Sequence, residues 1–72
     1  MGIVRCSAAA GGRAVLTLHT ASGRFVEVLY SGACRRGAFE ATLDTRTLSP
    51  GMYLLKLEAG SSRAIRRMAV VE

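Results

Sequence analysis

Seventy-two residues suffice for one small domain (1–72), and such a chain buries only about 60% of the surface its unfolded form exposes. With 50% hydrophobic residues it is not a disordered sequence, and with 6% aromatics and no Trp its core has to come from Val, Leu, Ala and Met. The formal charge of +5 raises nucleic acid or an anionic surface as a partner, but the nine Arg are scattered, adjacent only at Arg35-Arg36 and Arg66-Arg67, as on a solvated face.

The opening "MGIVRCSAAAGG" has too short an apolar region for a signal peptide. Met1-Gly2 begins like a myristoylation site, but Ser7 falls one place past the position that motif requires. No apolar run approaches the ~18 residues of a membrane span, so no membrane insertion is expected. Ile3 to Cys6 reads as a weak first strand, and "AAGG" (9–12) as a turn. Arg13 to His19 then alternates, with Ala14, Leu16 and Leu18 on one face and Val15, Thr17 and His19 on the other. "ASGR" (21–24) reads as a hairpin turn built on Gly23, and "RFVEVLY" (24–30) as a strand rich in β-branched and aromatic residues. "SGACRRG" (31–37) is the next turn signal. Ala38 to Leu43 alternates Phe39, Ala41 and Leu43 against Glu40 and Thr42.

"SPGMYLLKLEAG" admits two readings. As a helix it has Ser49 as N-cap, Pro50 at the first helical position and Gly60 as its stop. That helix would run under three turns and carry Gly51 inside its first turn. As a strand, 52–59 places Tyr53, Leu55 and Leu57 on one face, with Pro50-Gly51 suited to a type II turn. The strand is the better fit. "AGSS" (59–62) turns the chain into a last strand, Arg63 to Val71.

Turn signals every eight to twelve residues and no long helix predict an all-β fold, a small antiparallel sandwich of about six strands. Sequential strands are expected to pair as neighbours in two small sheets packed face to face.

Little here points to chemistry. Cys6 and Cys34 read as two small buried thiols in preference to a disulfide. One His and two distant Cys do not make a metal site. Asp44 has no partner carboxylate and reads as a turn or capping residue. His19 reads as a surface or packed histidine, and Ser22, Ser31, Ser61 and Ser62 as turn residues. No nucleophile, base and oxyanion donor assemble, so no catalytic residue, cofactor or metal is expected and the reading is a non-enzyme.

Taken together, Gly23-Arg24, Val26 and Leu29, Gly37 to Asp44, "LSPGMY" (48–53) and Arg66-Arg67-Met68 fall in an order that resembles the type A C-terminal sorting domain of type IX secretion cargo, a family related to the Ig-like domain of flagellar hook-capping proteins. The resemblance covers about residues 3–72, and its most specific element is the Gly51-x-Tyr53 corner followed by a basic last strand. Thr20 stands where the family usually has Asp, Leu43 where it has an aromatic, and an Asn-Pro-rich opening strand is absent, so a first strand is expected to be missing. The resemblance implies an Ig-like sandwich that takes an upstream cargo domain through the outer membrane, by way of the periplasm, to the cell surface or the medium. Its implied partners are the outer-membrane secretion machinery and a sortase-like peptidase. It also implies that the last strand ends because the protein ends. Gly23, Arg24, Gly51, Tyr53, Arg66, Arg67 and Met68 are the implied motif positions.

Each has a plain structural reading as well: positive φ at the glycines, a core anchor at Tyr53, and edge protection at Arg66 and Arg67, which should point to opposite faces. The alternative function is a structural Ig-like interaction module of the hook-capping type. A nucleic-acid binder is disfavoured, because no strand face carries the aromatics that stack on bases.

Overall fold

The computed structural model describes residues 2–8 and 11–71. Six strands and one short 3-10 turn occur among them: β1 (Gly2–Ala8), β2 (Gly12–Thr20), β3 (Phe25–Cys34), β4 (Gly37–Leu43), η1 (Thr45–Thr47), β5 (Gly51–Ala59) and β6 (Ser62–Val70). All pairings are antiparallel, in a two-stranded sheet β1-β4 and a four-stranded sheet β3-β2-β5-β6. The all-β sandwich of six strands read from the alternation is therefore the observed fold, and 52–59 is a strand and not a helix.

Two buried clusters lie between the sheets. Ala14, Leu16, Ala41, Leu57 and Ala59 form one, and Leu18, Leu43, Tyr53 and Val70 the other. Period two accounts for this: Ala14, Leu16 and Leu18 alternate with outward residues, and β5 does the same with Tyr53, Leu57 and Ala59. Ala41 and Leu43 come from the small sheet. The side chain of Phe39, expected on that same face, lies outside the described residues, as do residues 9 and 10 of the "AAGG" signal.

Three expectations are corrected. Sequential pairing holds only for the β2–β3 and β5–β6 hairpins. β1 reaches across to β4 and β2 to β5, because each small sheet closes only when distant apolar faces meet. Ser31 to Cys34, read as turn, continues β3, since these small residues pair with Gly12 to Val15 on β2 and leave only Arg35-Arg36 as connection. Pro50-Gly51 is no type II turn. Gly51 has φ 152°, far from the roughly 80° that turn needs, and already begins β5.

The β5–β6 hairpin has the two-residue loop Gly60-Ser61, with Gly60 at φ 61° and Ser61 at negative φ, the Gly-X arrangement whose twist suits paired strands. The register of β2 against β3 shifts after Leu16 and again after Leu18, two irregularities that tuck Val26 and Leu29 against the core.

Candidate functional site

Three features carry the motif residues: the β2–β3 turn, the corner before β5, and the last strand. At the turn, the Gly23 N–H donates to the Thr20 carbonyl at 2.9 Å, and Gly23 takes φ 94°. The Thr20 hydroxyl accepts from the Arg24 N–H at 3.1 Å, and the Thr20 N–H donates to the Arg24 carbonyl at 2.8 Å. Thr20 thus supplies the acceptor that an Asp in its place would supply, and that departure from the motif leaves the turn closed.

The corner is held by Tyr53. Its ring is buried in the second cluster, and its hydroxyl donates to the Ser49 carbonyl at 2.6 Å. A buried phenol needs such a partner, and the bond spans the bend that Pro50 and Gly51 make. Just upstream, Asp44 caps η1 by accepting from the Arg46 N–H at 3.0 Å, while the Arg46 guanidinium meets the same carboxylate at 3.0 and 3.1 Å. The Arg46 hydrogen bonds hold the Asp44 carboxyl below its ordinary range. Leu43, standing where the motif has an aromatic, is 2% exposed in the same cluster as Tyr53.

The last strand divides its residues by parity. Ala64, Arg66, Met68 and Val70 face the small sheet; Met68 packs on the second cluster, and Val70 is buried in it. Arg63, Ile65, Arg67 and Ala69 face outward, so Arg66 and Arg67 do point to opposite faces. Among the described residues β6 pairs only with β5, and none of them pairs with its other edge. Three arginines on this edge strand discourage strand addition by like-charged chains.

Alongside β6 lies a cavity of about 300 Å³, lined by Val4, Arg5 and Cys6 of β1, by Leu16, Leu55 and Leu57, and by Ala64 and Arg66 of β6. Its apolar floor follows from the strand count: two strands cannot cover a sheet of four. Burial pushes the Cys6 thiol up from its ordinary range, partly offset by the nearby Arg66 charge, so it stays protonated at neutral pH. Cys6 and Cys34 pack beside the first cluster, and no disulfide joins them. This site was not legible as a cleft, although parity does place Arg66 on the face that lines it.

The rest of the sequence reading lands as surface chemistry. His19 sits on β2 with its Nε2 2.8 Å from the Thr17 hydroxyl, and its ring meets Phe25 edge-on. The outward face of the large sheet mixes exposed apolar residues, Phe25, Val28 and Ile65, with Lys56, Arg63 and Arg67. No cluster of three metal-ligating side chains occurs among the described residues. What the arrangement offers is shape, a basic strand and an apolar cleft.

The fold and site define a small antiparallel β sandwich with a basic edge strand. Residues 8–72 match the secretion system C-terminal sorting domain, and the chain belongs to that family. Neither the curated proteins nor the solved structures give a match to this chain. The family acts as the C-terminal sorting signal of type IX secretion, and its domains are in general not enzymes. A protein bearing such a tail is secreted or displayed on the cell surface, and the tail works with the type IX machinery on behalf of an upstream cargo.

Proposed function

We propose that residues 1–72 act as one folded, non-catalytic label, which the outer-membrane machinery recognises after the cargo has reached the periplasm. The match of residues 8–72 to the sorting-domain family carries this reading. In it, the Gly23 turn and the Tyr53 corner set the shape, Met68 anchors β6 to the core, and Arg66 and Arg67 supply the charged contact. Their position on an open edge strand, with no ion-pair partner among the described residues, supports that division of labour. A sortase-like peptidase then removes the label and releases the cargo or attaches it to the cell surface.

The test is a periplasm-directed reporter fused to the chain, in a bacterium that has the type IX system. The reporter is expected at the surface or in the medium. A fusion that stays periplasmic while intact and folded would falsify the proposal.

A further inference from the structure

The cleft between β1 and β6 is an open place in the sandwich with a defined chemistry. Among the described residues β1 pairs only with β4, and β6 only with β5, so each presents an edge that none of them pairs, and the cavity is lined by both strands. Its lining is mostly apolar, Val4 and Cys6 from β1 and Leu16, Leu55, Leu57 and Ala64 from the large sheet, and its two charged members are Arg66 and Arg5, the latter paired with Glu40. Its volume of about 300 Å³ stands at the lower end of the range for cavities that take a ligand. Leu16 is buried, but Ala64 and Arg66, on the covered face of the large sheet, are exposed, because among the described residues the small sheet has two strands and no third lies above them.

Two requirements define the occupant. The unpaired N–H and C=O groups of β1 call for an extended backbone, since only a strand satisfies them in series. Arg66 calls for a carboxylate. It lines the cleft and bears on Cys6, yet the ion pairs among the described residues are Arg5–Glu40, Arg46–Asp44 and Lys56–Glu58, and none engages it. A strand laid over the cleft takes the Arg66 guanidinium out of water, and a charge so covered must be paired. A second copy of this chain fits poorly, because its own charge is +5.

We propose that this cleft binds an extended segment of a partner protein by strand addition to β1, with apolar side chains directed into the cavity and one Asp or Glu paired with Arg66. The inference rests on the sorting reading only for the source of the strand, which would be a component of the secretion machinery. Binding itself is independent of export.

The probe is a phage-displayed library of nine-residue peptides selected on the purified 72-residue chain. Selected peptides should alternate apolar residues and carry Asp or Glu at one fixed position, with a preference of at least tenfold over the Lys counterpart. Backbone NMR shifts should centre on residues 4–6 and 64–66. Arg66→Glu should reverse the charge preference, and Ala64→Trp, which fills the cleft, should abolish binding while Arg66 remains. Where Arg66→Glu does not fold, Arg66→Gln should erase the preference.

Any of four results overturns the proposal: enriched peptides with no acidic position, shifts confined to the outward sheet face, displacement by an alkyl detergent regardless of peptide charge, or self-association through the cleft. The reporter fusion separates the two readings. Export lost with peptide binding intact removes the sorting role and leaves the cleft, and the converse removes the cleft alone.

Discussion

Tyr53 joins two roles in one side chain, filling the second cluster and tying the corner through Ser49. Tyr53→Phe removes only the hydroxyl and should cost about 0.5–1.5 kcal/mol. For a chain of this size that lowers the thermal midpoint by several degrees, readable by circular dichroism. Tyr53→Ala leaves a hole in the core and should cost about 3–5 kcal/mol, a large part of what so small a domain has. Asp44 gives a pH signature. Its folded carboxyl titrates lower than in the unfolded chain, so its contribution is complete above the unfolded value of about 3.9 and disappears as pH falls through the lower folded value. Asp44→Asn should therefore lower stability in the neutral region, flatten the acid limb of the profile, and leave stability nearly unchanged at a pH where Asp44 is already protonated, as a urea midpoint measured at each pH would show. Gly51, at φ 152°, admits a side chain only with strain of about 1–3 kcal/mol. The Tyr53 anchor and the positive φ of Gly51 were legible in the sequence, because a buried phenol must find an acceptor and a glycine at a corner signals unusual φ, but the type II turn read there was not, since Gly51 already pairs with Val70.

At the scale of elements, the strands were legible where apolar and polar residues alternate, as in β2, β4 and β5. The end of β3 was not. Ser31, Gly32 and Ala33 have turn composition, and only their pairing with Val15, Ala14 and Arg13 makes them a strand. The link between β1 and β4 was equally hidden, because residues 2–8 say nothing of a partner as distant in sequence as Gly2 is from Leu43. The cleft beside Arg66 follows from that pairing, so parity could give its face but not its setting. The edge strand β6 carries its own prediction. Replacing Arg63 and Arg67 together by Thr keeps strand propensity and removes two positive charges from an open edge. The variant should self-associate at concentrations where the parent chain does not, as sedimentation velocity will report. An unchanged sedimentation coefficient would mean that something other than charge protects the edge.

For the whole molecule, Leu16 lies at the base of both the core and the cleft and is 1% exposed. Leu16→Ala should cost about 2–5 kcal/mol, and the loss should appear as one cooperative transition, since both sheets share that side chain. A chemical denaturation curve with two steps would show that the sheets melt separately. Because β1–β4 and β2–β5 are both long-range pairings, folding should proceed in milliseconds to seconds, measurable by stopped-flow after dilution from denaturant. The strand order has a further consequence for how long the molecule survives among proteases. β2 and β5 each have neighbours on both sides, whereas β6 has one, and it holds Arg63, Arg66 and Arg67. An enzyme that cuts after arginine needs only that one hairpin arm to lift away, so its cutting rate will follow local fraying and not the stability of the sandwich.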